Sequence, residues 1–328
     1  MKIHILDDWH DTLRGLPCFA RLAGHDVTVW TDHVDDPAVL ADRLAPAEGL
    51  VLFRERTAIT ADLLGRLPGL RLISQRGAYP HVDVAACTAG GVMLCSNQKG
   101  DGGYSVAAAE LTFALMLACA RQLPAQVASL KAGGWQLAPG QTLAGRVLGL
   151  YGYGRIARAV ARYAEAFGME VIWWASEAGR ARAAADGVRL ADSRAEFFAR
   201  ADMVSLHQRL TPTTRATITA EDLALMKPTA SLINTARAGL IAPGALLDAL
   251  RAGRPGRAGI DVFDTEPLTD VDDPLLALPN LVATPHIGFV TEDELDKQFA
   301  DIFDQVNAFA RGAPIHVINP EVAPTGRS

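Results

Sequence analysis

Three short segments in the second half of the chain carry side chains suited to proton and anion chemistry. They are INTARAG with Arg237, DVFDTEP with Asp261 and Glu266, and TPHIG with His286. An imidazole titrates close to neutral pH, so it can give or take a proton. A carboxylate beside it favours the imidazolium and fixes the ring. A guanidinium presents a planar fork that grips a carboxylate and a neighbouring keto oxygen together, which the point charge of Lys cannot do. Reducing a 2-keto acid needs these groups: His286 as proton donor, Glu266 as its partner, Arg237 to orient the substrate, and hydride from a nicotinamide. In the oxidative direction His286 is the base. Taken singly, each residue has a structural reading: Arg237 capping a carbonyl, Glu266 as a loop charge before Pro267, His286 as a satisfied core histidine. Each segment, however, closes an apolar run, and open α/β sheets bind ligands at such strand ends. Convergence on one edge favours the chemical reading.

The same edge receives a glycine loop. VLGLYGYGRIARAVARYAEAFG reads as strand, tight turn and helix. Gly152 permits the turn, Gly154 lets the backbone reach a pyrophosphate, and Ala157 takes the third small position of the G-x-G-x-x-G/A pattern. The helix start directs free N–H groups at the phosphates. A tight turn with no ligand is the structural alternative, and the motif alone is weak. The flanking strand and helix, with a second strand at the right distance, strengthen it. That second strand, EVIWW, ends in Ala175 and Ser176, where an Asp or Glu usually holds the adenosine ribose. Ser176 can bond a 2′-OH or a 2′-phosphate. Glu177 leans toward NAD, whereas Arg180 and Arg182 can pair with a phosphate. The three charges also read as a solvated helix start. The cofactor is therefore NAD or NADP, with the choice open.

Eleven short apolar runs must position these groups: KIHIL, VTVW, GLVLF, LRLIS, VMLC, RVLGLYG, EVIWW, DMVSLH, SLINTA, AGIDVF and LVATP. Continuous apolar strands alternating with Ala/Leu-rich helical stretches predict parallel sheets covered on both faces. Eleven strands exceed one ordinary sheet. Two α/β domains follow, with breaks at the polar, glycine-rich NQKGDGGYS (residues 97–105) and at HIGFVTEDE, where Thr291 reads as the N-cap of a helix to about Arg311. The predicted domains are 1–98 with 290–328, and 99–289. The C-terminal tail, PIHVINPEVAPTGRS, is expected to end in disorder, and no repeat is present.

Composition narrows the class. The 328 residues are 49% hydrophobic and 21% charged, with a net charge of −6. An acidic balance argues against nucleic acid or anionic lipid as partner. Four scattered cysteines, with no Cys-x-x-Cys pair, predict buried thiols and no metal site. MKIHILDDWHD reads as a first strand and not as a signal peptide. The run at residues 106–120 contains Glu110 and is too short to span a bilayer, so it predicts a buried helix. A cytoplasmic location is expected.

The pieces LRLISQRGAYPHVDVAA, AAAELTFALMLACAR, LAGRVLGLYGYGRIA, SLINTARAGLI, DVFDTEP and TPHIG together resemble the D-isomer-specific 2-hydroxyacid dehydrogenases over nearly the whole chain. The resemblance implies a Rossmann-type nucleotide-binding domain, a flavodoxin-like substrate domain, both doubly wound, and an active site in the cleft between them. It implies the roles already given for Arg237, Glu266 and His286. It places Arg155 and Ile156 over the pyrophosphate, Asp261 on the nicotinamide amide, and His207, Thr235 and Gly288 along the cofactor trough. It implies that backbone N–H groups near Gly77 and Ala78, with Arg237, hold the substrate carboxylate, and that a helix at about 104–121 helps to form a homodimer. The chain departs from the pattern at Tyr79, where a glycine is usual, in a loop one residue short. It departs also at Arg209 in place of proline, and at Ala242 and Pro243 in place of an acidic pair. Pro243 is tolerable as a first helical residue.

Two other functions share these features. A dinucleotide-sensing, co-repressor-like interaction protein would show a stoichiometric protein partner and negligible turnover. An enzyme of the same fold could oxidise formate or phosphite instead of a 2-hydroxy acid.

Overall fold

The computed structural model describes residues 1–9, 11–98 and 106–322. The chain forms two compact units, Met1–Gly103 with Thr291–Ser328, and Tyr104–Val290. Most of the 97–105 break and the last six residues lie outside the described residues.

All eleven apolar runs are strands. In the first unit they are β1 (Lys2–Ile5), β2 (Asp26–Val29), β3 (Gly49–Val51), β4 (Leu72–Arg76) and β5 (Met93–Asn97). The second unit holds β6 (Val147–Tyr151), β7 (Glu170–Trp174), β8 (Met203–Leu206), β9 (Ser231–Asn234), β10 (Arg257–Ile260) and β11 (Leu281–Ala283). The sheet orders are β2-β1-β3-β4-β5 and β11-β10-β9-β8-β6-β7, with every strand pair parallel. The first order is the flavodoxin-like one. In the second, a parallel bridge from Trp173 to Leu190 adds a rudimentary strand outside β7, which completes the Rossmann pattern. In each unit the order reverses at the first strand, and the crevice at such a switch point is where ligands bind.

Helix starts are written into the sequence. Asp36, Thr60, Asp83, Ser176, Ser193, Thr219 and Thr291 each accept a backbone N–H from the first turn that follows. Such caps satisfy N–H groups that have no partner inside the helix. Pro243 behaves differently from the expectation. The helix is Ala245–Arg251, and its N-cap Gly244 sits at φ 75°, a conformation that leaves Pro243 outside.

The second unit packs two cores, one on each sheet face. Phe197, Phe198, Leu223 and Leu232 belong to one, and Leu148, Leu150, Ala157, Val160 and Met116 to the other. The helix Ala107–Arg121 buries eight residues against this second core, so its apolar surface serves its own unit. No single helix among the described residues is long and apolar enough to cross a membrane. The four cysteines are buried, and burial pushes their thiols up to about 11 or 12.

In the first unit the helix Glu292–Ala310 buries Leu295, Phe299, Ile302, Phe303 and Val306. Ser74 of β4 donates to the Ile302 carbonyl, and Gln305 donates back to the Gln75 carbonyl. Part of the tail is ordered too: Val317 bridges Cys95 antiparallel, and Asn319 bonds Leu94 and Val92.

Beyond β1, Asp7 is 3% exposed and receives Thr57 Oγ1 at 2.6 Å, while His33 Nδ1 lies 2.8 Å from Asp7 and its Nε2 3.0 Å from Asp35. Burial alone would lower the His33 pKa, but the bonds and charges of Asp7 and Asp35 outweigh it and raise the pKa above its ordinary 6.5. The imidazolium therefore stabilises the folded state fully below pH ~6.5, and that stabilisation is lost as pH rises through the higher folded value. Thermal melts of wild type and His33→Gln should diverge at acidic pH and converge above neutrality. A constant difference across pH would contradict this.

Candidate active site

The edge of the second sheet gathers the expected residues because β9, β10 and β11 are neighbours. Arg237 follows β9 by three residues, Asp261 adjoins β10, and His286 follows β11 by three. Adjacent parallel strands thus deliver groups separated by about fifty residues of sequence to one edge.

His286 Nδ1 lies 2.5 Å from Glu266 Oε2. The pair is partly open to solvent, with side chains 29% and 34% exposed. The other Glu266 oxygen accepts the Phe263 N–H at 2.9 Å, which closes the 263–266 turn. Burial alone would raise the Glu266 pKa. The hydrogen bond and charge of His286, the Phe263 amide and the charge of Arg237 outweigh burial and hold the carboxyl below its ordinary range. Glu266 is therefore the anionic partner of the pair around neutral pH. The charge of Arg237 thus reaches Glu266. Arg237 also donates to the Ala236 carbonyl at 2.7 Å, and Asn234 donates to the Arg237 carbonyl at 3.0 Å.

His286 has φ 54°, a left-handed conformation uncommon for a residue with a Cβ and kept only where surroundings enforce it. Asp261 supplies the enforcement. Its carboxylate is 1% exposed and accepts from Thr284 Oγ1 at 2.5 Å, Ile287 N at 2.9 Å and Gly288 N at 2.8 Å. Burial raises its pKa, opposed by those three bonds and by the charge of His286. One carboxylate thus clamps the backbone on both sides of the histidine. Gly288 lets the chain approach, since a Cβ there would lie 3.0 Å from Asp261 Oδ2. This clamp was not foreseen in the sequence; its only signal is an acid placed directly at a buried strand end.

The glycine loop passes a test of fit for a dinucleotide. Gly152 has φ 116°, and a Cβ there would lie 2.8 Å from the backbone of His207, so only glycine lets β6 and β8 end together. Gly154 is extended, and among the described residues a Cβ on it would meet no atom within 4 Å beyond its own chain neighbours. No packing among the described residues requires glycine at 154, so the space it leaves suits an approaching phosphate. Arg155 opens the helix Arg155–Ala166, and Ile156 is apolar yet 39% exposed beside it, as a residue covering a ligand would be. Ala157 is fully buried. Burial pushes the His207 imidazole down to about 4, which leaves it neutral near pH 7, with Nε2 2.9 Å from Ser205 Oγ. Thr235 Oγ1 lies 2.6 Å from Thr112 Oγ1. Ser176 is exposed and caps the next helix through Gly179 N at 3.3 Å.

Gly77 and Ala78 belong to the first unit. Gly77 has φ 85°, and its N–H donates to the Asn97 carbonyl at 3.1 Å. That N–H is therefore engaged within the unit, and the neighbouring Ala78 carbonyl accepts from Gln75 Nε2 at 3.2 Å. Tyr79 packs against the core of its unit, which accounts for its size where a glycine was expected.

Fold and loop define a class: a two-unit parallel α/β protein with a Rossmann-type unit. Residues 113–288 match the family model described as D-isomer specific 2-hydroxyacid dehydrogenase, NAD binding domain. A solved structure from Ralstonia solanacearum is 42% identical with TM-score 0.93, covering 98% of each chain. A phosphoglycerate oxidoreductase from Vibrio cholerae is 44% identical with TM-score 0.90, covering 95% of this chain and all of the other. The hydroxypyruvate reductase of Thermotoga maritima is 36% identical over 82% of this chain and 86% of its own length. The chain belongs to the D-isomer specific 2-hydroxyacid dehydrogenase family. It spans only 52% and 59% of the D-3-phosphoglycerate dehydrogenases of Methanocaldococcus jannaschii and Mycobacterium bovis.

Proposed function

We propose that this chain is a nicotinamide-dependent oxidoreductase interconverting a small 2-keto acid and its D-2-hydroxy acid. The observation that carries the reading is the His286–Glu266 pair at 2.5 Å, on the sheet edge that also bears Arg237 and the glycine loop. A dinucleotide held by that loop through its pyrophosphate would supply hydride, two electrons with a hydrogen nucleus, from its nicotinamide to the keto carbon. Glu266 holds Nδ1, so Nε2 is the nitrogen that faces the reaction. His286 gives its Nε2 proton to the keto oxygen and becomes neutral imidazole, and the C=O becomes CH–OH. Arg237 binds the substrate carboxylate and the keto oxygen, where charge accumulates during reduction. Oxidation reverses each step.

The test is steady-state turnover of the full chain with NADH and NADPH against a panel of 2-keto acids. The name of the Thermotoga maritima relative puts hydroxypyruvate first. Turnover of at least one acid, giving the D-product, is expected; no turnover with either cofactor contradicts the reading.

A homodimer is part of the proposal. The helix Leu123–Lys131 buries no residue, and Leu123, Val127, Leu130, Trp135 and Leu137 are all exposed, Trp135 by 73%. A cluster of this kind on one stretch marks an interaction surface, and a two-fold pair covers it with itself. Sedimentation equilibrium should give a dimer, and Leu130→Glu with Trp135→Glu should shift it toward monomer. A wild-type monomer at micromolar concentration contradicts the pairing.

A further inference from the structure

We propose that the end of β7 carries a subsite for a ribose 2′-phosphate, so that the dinucleotide this chain prefers is NADP(H). The inference rests on the glycine loop being a dinucleotide cradle, as proposed above. In such folds the group at the end of the second strand decides the adenosine ribose: a carboxylate there accepts from a 2′-OH and repels a 2′-phosphate. Here that strand ends in Ala175, buried, and Ser176, exposed, and neither is charged.

Two guanidinium groups stand beside this end. Arg180 is half-buried, with its guanidinium carbon 4.6 Å from the centroid of the Trp174 ring. Its Nη1 donates to the Ala175 carbonyl at 2.9 Å. That bond uses one of five N–H donors and ties the cation to the residue that would otherwise be the acid. A guanidinium stacked on an indole and held by a carbonyl is ordered before any ligand arrives, so less is lost when it binds an anion. Arg182 reaches back along the same helix, with Nη2 4.0 Å from where a Cβ on Gly179 would lie. Gly179 itself is pressed to the strand end, since its Cβ would lie 2.7 Å from Ala175 Cβ. The first turn, the strand end and both arginines thus share one small region.

The local charge balance favours a phosphate. The charges of Arg158 and Arg182 both act on the Tyr153 hydroxyl, which donates to Asp186 at 2.5 Å. Asp186 is engaged by that bond and lies 4.0 Å from Arg158. Glu177 is the opposing charge at the helix start, and it is exposed to solvent as Arg182 is, so screening weakens both alike while half-buried Arg180 is screened less. With Arg158 and Asp186 facing each other, Arg180 and Arg182 against Glu177 leave a net positive region for a group carrying about −1.5 to −2 at neutral pH. Ser176 Oγ adds a hydroxyl donor.

The clean probe is a pair of fragments that differ only in the phosphate, 2′,5′-ADP and 5′-AMP, titrated by calorimetry alongside NADPH and NADH. Wild type should bind the 2′-phosphorylated member of each pair on the order of 10-fold or more tightly. Arg180→Ala and Arg182→Ala should erode that ratio, and Arg180→Gln should do so without emptying the space over Trp174. Circular dichroism melts confirm that each variant is folded. Equal or tighter binding of NADH and 5′-AMP by wild type overturns this inference and leaves the dinucleotide cradle intact. Variants that weaken both members of a pair equally assign the arginines a structural role and also overturn it. Failure of all four ligands to bind overturns the cradle itself, and this inference with it.

Discussion

Replacing His286 by Ala is expected to lower kcat by about 10²–10⁴-fold, the usual contribution of a positioned acid–base group. That corresponds to roughly 3–5 kcal/mol of lost transition-state stabilisation. The loss should appear in kcat more than in KM, because proton transfer to the keto oxygen takes place only as the barrier is crossed. The pH profile carries a second signature. Reduction consumes a proton from the imidazolium, so the wild-type profile should show a basic limb that vanishes in the variant. Glu266 adds no competing limb nearby, since His286, Phe263 and Arg237 together hold its carboxyl below the ordinary range against the opposing effect of burial. Its protonation belongs to the acid end of the profile. Steady-state rates across pH for wild type and His286→Ala make the comparison. A variant that keeps kcat within a few-fold removes the histidine from the chemistry.

The second large effect is expected at Arg237. Arg237→Lys keeps the charge but loses the fork, so one of two directed contacts to substrate is lost. Hydrogen bonds to charged groups are worth about 1.5–3 kcal/mol each, so kcat/KM should fall by roughly 10- to 100-fold in Arg237→Lys and further in Arg237→Ala. Loss of the carboxylate contact raises KM, and loss of the keto-oxygen contact lowers kcat. Added guanidinium ion should recover part of the Arg237→Ala activity if the missing group is the fork itself. If Arg237→Lys matches wild type, or guanidinium has no effect on Arg237→Ala, the substrate is not held this way.

What the sequence revealed and what it concealed have different physical origins. Buried parallel strands are continuous apolar runs, so all eleven could be read directly, and their adjacency then explains why Arg237, Asp261 and His286 share an edge. Caps such as Thr291 were legible because a short polar side chain before a helix has few other uses. The left-handed backbone of His286 was not legible, because it is imposed by Asp261 from 25 residues upstream and by no local preference of histidine. The His33–Asp7–Asp35 cluster was missed for the same reason: its members come from separate loops and follow no spacing rule. The pairing of residues 316–319 with β5 was not legible, because their composition is that of a loop and it is the unpaired backbone at the edge of β5 that takes them. At Gly77 the sequence located the turn but not the Asn97 carbonyl that takes its N–H.

The central claim is that this edge brings hydride and proton to one carbonyl, and the label itself can be followed. In a single turnover with reduced cofactor carrying two deuteriums at nicotinamide C4 and a 2-keto acid in ordinary water, the D-2-hydroxy acid should carry deuterium at C2 by mass spectrometry. His286→Ala should form the same labelled product far more slowly. A product with unlabelled C2, or the L-isomer, would contradict the account.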